Sequence, residues 1–289
     1  MRTCMPPVPD PSKPAYTPPP GACDAHCHVF GPADRFPYHP TASYHPPDAP
    51  AERLAALHEH LGIDRAVIVQ ASCHGPDNRA MLDAIARSDG RYRGVCIADD
   101  SFTRHDFEAL HDGGVRGVRF NFVAHLGGAP DVGLVRRTVA TVAPLGWHLV
   151  VHVGADDLVR YQDLLLEFDL PVVVDHMARV PTEGGVDQEA FRILLGALER
   201  PSWWVKICGA ERISAGGPPF HDAVPFAQAL IATAPDRILW GTDWPHPNIK
   251  KHMPDDGALV DLIPLFAPDP ETQRRILVDN PARLYGFGD

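Results

Sequence analysis

The sequence predicts an α/β protein built as a (β/α)8 TIM-type barrel over residues 21–289, with a proline-rich arm over residues 1–20. Three observations predict it. Short β-branched, apolar runs alternate with helix-like stretches eight times. The runs are apolar on both faces, as parallel strands covered by helices must be. The length of 289 residues suits a fold whose usual size is about 250 residues.

The first 20 residues hold eight prolines. Proline removes backbone donors and favours extended chain, so an irregular arm packed on the surface is expected. The strands expected next are Ala22–Phe30, Arg65–Ala71, Gly94–Ala98, Val115–Phe122, His148–Val153, Pro171–Met177, Trp203–Cys208 and Arg237–Thr242. Helices are expected at about 50–61, 77–88, 103–112, 132–143, 156–168, 187–199, 221–233 and 256–266, with a closing helix at about 270–280 and a packed tail to Tyr285. The rival architecture is a doubly wound open sheet. That fold places a glycine-rich phosphate loop after its first strand, whereas here the strand ends in His26-Cys27-His28.

Composition excludes several function classes. The chain is 45% hydrophobic and 22% charged, which is ordinary for a globular protein and not for a disordered one. The net charge is −11, from 26 Lys plus Arg against 37 Asp plus Glu, which argues against nucleic-acid or anionic-membrane partners. No apolar run approaches the ~20 residues of a membrane helix. The first residues lack the apolar core of a signal peptide. The six cysteines show no close-spaced pairing, so free thiols and a cytoplasmic location are expected. Cys23 and Cys27 read as small buried hydrophobes.

In a barrel the active site lies at the C-terminal ends of the strands. Strand by strand, those ends carry His26 and His28, then Gln70 and Ser72, then Arg119 and Asn121, His152, His176, Lys206 or Cys208, and Asp243. One polar side chain at a strand end needs no explanation. Four imidazoles and a carboxylate on one rim do. His26 and His28, two apart on a strand, share a face and can hold a divalent cation from one side. With His152, His176 and Asp243 they form a candidate catalytic cluster. His148 lies deeper and reads as structural. His58 and His74 read, with most other histidines, as surface or loop residues, and His246 as either. Arg119, Arg179 and Arg212 lie at or just after strands 4, 6 and 7. A guanidinium fork binds carboxylate or sulfonate bidentately, so three on one rim point to an anionic substrate. Tyr44, Phe122 and Trp244 are candidate aromatic neighbours of a planar ring.

The D-A-H-C-H of strand 1, the D-H-M-A-R of strand 6, the W-G-T-D-W-P-H of strand 8 and the terminal N-P-A-R-L-Y resemble the amidohydrolase superfamily, more narrowly its amidohydrolase-2 branch. The resemblance runs from about Gly21 to Tyr285. It implies a distorted amidohydrolase-like barrel and hydrolysis at a carbonyl, with Asp243 handling the water proton. His26, His28, His176 and Asp243 match the core of the motif. Tyr44, Ser72, Arg119, Arg179 and Arg212 match residues that contact substrate in the branch's pyrone-dicarboxylate lactonases. Two positions depart. His125 stands where those lactonases carry another arginine, and His152 where they carry a tyrosine.

The second departure moves the site towards metal-binding relatives, in which a strand-5 histidine is a usual ligand. The binuclear members bridge two metals with a modified lysine on strand 4, and this strand has none. One divalent ion, by ligand type Zn²⁺, is therefore expected, held by His26, His28, His152 and Asp243 with His176 as ligand or donor. Metal-independent action is the alternative. The expected function is a lactonase opening a carboxylated or sulfonated lactone from aromatic catabolism, such as 2-pyrone-4,6-dicarboxylate or a muconolactone. Asp243, His176 and His28 are the catalytic group, and Tyr44, Ser72, Arg119, His125, Arg179 and Arg212 contact the small anionic substrate. The alternatives are a metal-dependent decarboxylase on the same fold and a non-catalytic barrel that binds an anion.

Overall fold

A computed structural model describes residues 2–288; positions 1 and 289 of the expected arm and barrel lie outside the described residues. Eight parallel strands follow one another round a barrel: β1 (Cys23–Cys27), β2 (Arg65–Val69), β3 (Tyr92–Cys96), β4 (Val115–Asn121), β5 (His148–His152), β6 (Val172–Val174), β7 (Trp203–Lys206) and β8 (Ile238–Leu239). Each pairs with the strand before it in sequence. The apolar runs are buried on both faces, since one face fills the barrel and the other meets the helices.

Between β8 and β1 no ladder forms among the described residues, yet the seam is bonded. Ala25 N donates to Trp240 O (2.8 Å), Asp243 N to His26 O (2.7 Å) and His28 N to Trp244 O (2.8 Å). The buried Asp24 carboxylate clamps the same seam. It accepts from the backbone N–H of His26 and of Thr242, both at 3.0 Å, and from the Thr242 hydroxyl. Gly241 makes the approach possible, because a Cβ there would lie 2.5 Å from His26 N.

The covering helices are α1 (Ala51–Leu61), α2 (Arg79–Ala86), α3 (Arg104–Asp112), α4 (Val132–Val142), α5 (Ala155–Leu166), α6 (Glu189–Leu198) and α7 (Val224–Thr233). The helix expected at 256–266 is two pieces, Asp256–Val260 and Ile263–Phe266. Pro264 has no N–H to continue the first piece, so a new helix starts with it in the first turn. The tail is helical rather than merely packed. Pro270–Arg274, a π segment at Arg275–Asp279 and Asn280–Tyr285 run on continuously. Pro281 removes one i→i−4 donor there, which fits the widened turn.

Strand 6 differs most from expectation. It stops at Val174, and His176, Met177, Ala178 and Arg179 turn left-handed with φ of 50–53°. Asp243, His246 and Asn248 are left-handed too. L-residues pay about 1–2 kcal/mol each for this conformation. Such strain gathers where function demands a particular aim of side chain. The arm lies over the loops after β1 and β8. Arg2–Thr3 pairs with Tyr44–His45, Cys4 Sγ lies 3.8 Å from Asn248 Oδ1, and Ser12 bonds the Asp255 carboxylate through its N–H (2.9 Å) and hydroxyl (2.6 Å).

Candidate active site

The four rim imidazoles share one arrangement. Each has Nδ1 engaged behind it and Nε2 turned to the barrel mouth. His28 Nδ1 donates to Val69 O (2.7 Å) and His152 Nδ1 to Asn121 Oδ1 (2.9 Å). His26 Nδ1 lies 3.1 Å from Lys206 Nζ and 3.2 Å from Asp175 Oδ1. His176 Nδ1 lies 3.2 Å from Cys208 Sγ. Gly209 permits that contact, since at φ +81° it adopts a glycine conformation and a Cβ would lie 2.9 Å from His176. Asp243 Oδ1 then faces three Nε2 atoms: His28 at 3.3 Å, His26 at 3.6 Å and His176 at 4.0 Å.

Asp243 Oδ1, His26 Nε2 and His152 Nε2 are buried and have no hydrogen-bond partner among the described residues. Inside a protein such atoms are costly unless something occupies the space between them. The ligand atoms of His26, His28 and Asp243 all lie within 4.8 Å of one another, and His26, Asp175 and His176 form an overlapping group. His152 belongs to neither group, and its ring centroid is 5.3 Å from that of His176. Two nitrogens, one carboxylate oxygen and occupied outer partners fit a divalent cation of the zinc kind.

Burial sets the titration. It lowers His26 to about 4, against the pull of Asp175, and Lys206 adds to the lowering. His152 and His176 are held well below the ordinary imidazole value, mainly by burial, with Arg119 beside His152 adding to it. Burial also takes His148 down to about 3. For Asp243 burial acts upwards, but Arg212, His176 and His28 outweigh it and the carboxyl stays well below its usual range. His26, His148, His152 and His176 are therefore neutral and the Asp243 carboxylate charged at neutral pH.

A stability prediction follows from the sign of these shifts. Unfolded imidazoles titrate near 6.5. Below that pH the unfolded chain binds protons that the folded chain refuses, so stability falls as pH falls. Each of His26, His148, His152 and His176 contributes about 1.4 kcal/mol per pH unit until its own folded value is reached. Tm is expected to hold above about pH 7 and to drop steeply from 6.5 towards 4.5. A Tm that stays flat through that window would show the imidazoles titrating as free ones do.

The three arginines expected to contact the substrate differ in their partners. Arg119 Nε donates to Asp175 Oδ2 at 2.8 Å. Arg212 gives two nitrogens to Asp243 Oδ2 and lies 3.5 Å from Glu211. Arg179 has no carboxylate in ion-pair contact among the described residues, and one of its terminal nitrogens is buried without a partner. Burial, and then Arg212, lower it to about 10. A small cavity of about 20 Å³ is lined by Tyr44, Ser72, Arg119, His125, His152 and Asp243, among others. Ser72 Oγ accepts from Asn121 Nδ2 at 3.2 Å, and the His125 ring lies 6.2 Å from His152. Of the three aromatic candidates only Tyr44 lines this cavity. Phe122 packs on Tyr161 at 5.1 Å, and Trp244 faces the arm.

The residues that sequence reading passed over are Asp175, Glu211 and Asn248. Asp175 carried a signal: it is the one charge at the end of Val172-Val173-Val174. His58 and His74 are buried, not superficial. His58 belongs to the inward face of α1 with Leu54, Leu57 and Leu61, a spacing visible in the sequence. It lies 3.2 Å from Asp24. His74 accepts from Gly31 N–H at 3.2 Å. His246 is buried as well, 3.1 Å from Asp256.

The sequence pattern described as amidohydrolase matches residues 23–287. A 2-pyrone-4,6-dicarboxylate hydrolase of Comamonas testosteroni is 48% identical over 96% of this chain and 93% of its own. A 4-sulfomuconolactone hydrolase of Rhizobium radiobacter is 45% identical over 93% of this chain and 91% of its own. A solved structure from Acinetobacter baumannii, a probable 2-pyrone-4,6-dicarboxylic acid hydrolase with citric acid bound, superposes with a TM-score of 0.81 at 26% identity, covering 92% of this chain and 100% of that one.

Proposed function

The chain belongs to the amidohydrolase family, and on that premise we propose that it is a hydrolase opening an anionic lactone of the pyrone-dicarboxylate or sulfomuconolactone kind. The observation that carries this reading is Asp243. One of its oxygens is tied by Arg212 and the other is open towards three imidazole Nε2 atoms. A carboxylate so held can accept a proton at Oδ1 alone. In this reading a water between Oδ1 and the imidazoles attacks the lactone carbonyl while Asp243 Oδ1 takes its proton. The carbon–ring-oxygen bond then breaks, and the same oxygen delivers the proton to the leaving alkoxide or enolate.

His176, neutral and close to Asp243, is placed to polarise the carbonyl oxygen. His26, His28 and Asp243, with His152 or His176, are the residues that would hold a zinc-like ion. Such an ion supplies Lewis-acid polarisation and lowers the pKa of water to about 7. Tyr44, Ser72, Arg119 and His125 line the cavity as substrate contacts. A cytoplasmic setting is part of the same reading, supported by six free thiols. Among the described residues no helix is long and apolar enough to cross a membrane.

The test is a hydrolysis screen with 2-pyrone-4,6-dicarboxylate, muconolactones and a sulfonated muconolactone, with product analysis. Ring-opened acid supports the reading. Release of CO₂ without net addition of water identifies a decarboxylase instead.

Arg179 gives the sharper substrate test. Arg179→Met keeps aliphatic bulk and removes the rim guanidinium that has no carboxylate in ion-pair contact among the described residues. A charge-assisted bond is worth about 1.5–3 kcal/mol, or roughly 10–150-fold in kcat/KM for a carboxylated lactone. A neutral lactone is expected to lose far less. Equal losses on both substrates would rule out a charge role.

A further inference from the structure

We propose that Cys208 is a positioning residue: its thiol donates to Nδ1 of His176, keeps the ring hydrogen on Nε2, and so makes His176 a hydrogen-bond donor at the barrel mouth and not a metal ligand. This rests on the lactonase reading above and assigns the tautomer that reading needs. Which nitrogen of an imidazole carries the hydrogen is set by what the other nitrogen bonds. The groups behind the rim histidines differ in that respect.

Behind His28 lies the Val69 carbonyl oxygen at 2.7 Å, and behind His152 the Asn121 amide oxygen at 2.9 Å. Asn121 gives its NH2 to Ser72. Both oxygens only accept, so Nδ1 of each ring carries hydrogen and Nε2 is the atom left for a metal. His26 has a donor and an acceptor behind it, Lys206 Nζ at 3.1 Å and Asp175 Oδ1 at 3.2 Å, and its backing allows either form. His176 alone of the four is backed by sulfur, with Cys208 Sγ 3.2 Å from Nδ1.

A thiol is a weak donor and its sulfur a weak acceptor, whereas the bare nitrogen of an imidazole accepts well. S–H···N is therefore the better of the two arrangements. The thiol keeps a hydrogen to give. Cys208 is buried, and burial, with Asp243 and Asp175 adding to it, pushes its pKa well above the ordinary value. The other end of the ring agrees. Asp243 Oδ1 lies 4.0 Å from His176 Nε2. An N–H there faces the carboxylate with opposite sign, and a lone pair would face it with like sign. The backbone is shaped to the contact. His176 is left-handed at φ +52°, and Gly209 leaves room where a Cβ would lie 2.9 Å from the ring.

The four rings then divide their work. His176 Nε2–H can donate to the lactone carbonyl oxygen as negative charge grows on it, which a lone pair cannot do. The group of His26, His28 and Asp243 is completed as a metal site by His152, whose Nε2 is buried with no partner among the described residues.

The test is nitrogen-15 NMR of the full-length protein with labelled histidines, the His176 signals being identified by their loss in His176→Asn. The expected spectrum has a bare Nδ1 and a protonated Nε2. Hydrogen on Nδ1 would overturn the proposal. The second arm is kinetic. Cys208→Ala is expected to lower kcat by about 2–12-fold, the worth of one hydrogen bond. KM for the anionic lactone should change less, since the lost interaction acts in the transition state. Cys208→Ser, whose hydroxyl also donates, is expected to recover most of the loss. Equal kcat in the two variants, or none lost in Cys208→Ala, would show that the thiol only fills space and would equally overturn the proposal. If no lactone is turned over, the hydrolysis screen reports failure of the lactonase reading. The spectra of the wild type and of Cys208→Ala, in which the hydrogen is expected to be shared between the two nitrogens, still decide what Cys208 does.

Discussion

Asp243→Asn is expected to lower kcat by about 10²–10⁴-fold, the usual worth of a positioned acid–base group. The amide keeps the shape of the carboxylate and can still sit between Arg212 and the imidazoles. It cannot take a proton from water. The low pKa of Asp243 sharpens the expectation. Arg212, His176 and His28 hold it ionised, so the wild-type group is always in the accepting form near neutrality, and no change of pH restores the function to an amide. Affinity for an inert dicarboxylate should change far less, since Arg179 is not in ion-pair contact with Asp243. Pre-steady-state and steady-state hydrolysis separate the two quantities. A variant with near-normal kcat would remove Asp243 from the proton path.

His152→Tyr tests the metal. We expect close to one equivalent of zinc or a similar divalent ion per wild-type chain, and a large fall in metal content in the variant. The physical reason is the donor atom. His152 Nδ1 donates to Asn121, which leaves the Nε2 lone pair buried and directed inwards. Imidazole binds zinc at about 2.0–2.1 Å. A phenol at that place offers a neutral hydroxyl, a poor ligand near pH 7. Activity should then vanish or persist as a weak hydrolysis insensitive to chelators. Elemental analysis of active enzyme that finds no metal, with chelation having no effect, would refute this. His152 would then be a substrate contact, and His176 with the arginines would polarise the carbonyl. The arrangement has a feature that favours this outcome if the metal fails: Arg212 already places a full positive charge on Asp243.

Much of the barrel was legible because its signals are local. Eight apolar runs and their spacing depend only on which residues face the interior of a parallel sheet. The same holds for the rim: an imidazole two residues from another on a strand shares its face wherever the strand ends up. His26 and His28 follow from that spacing, and His152, His176 and Asp243 from their places at the ends of the expected strands. Local reasoning failed where the backbone departs from the pattern. Strand 6 reads as continuing through Met177, yet it turns left-handed after Asp175. No propensity predicts four L-residues in that region, because the cost is offset only by contacts from other strands.

The number of units, the faces of strands and helices and the chemical kinds of residue at the barrel mouth were determined by the sequence alone, since periodicity and side-chain direction are properties of a few consecutive residues. The pairing of charges was decided by tertiary structure. Arg119 meets Asp175 across 56 positions and Arg212 meets Asp243 across 31. Lys206 reaches His26 across 180. Every one of these groups could have served the substrate equally well by residue type. Which cation is neutralised and which is left open depends on distances of a few ångströms set by barrel closure, and Coulomb energy in a buried site is steep over that range. That is why the three arginines look alike in sequence while, among the described residues, Arg179 is the one of them without a carboxylate in ion-pair contact.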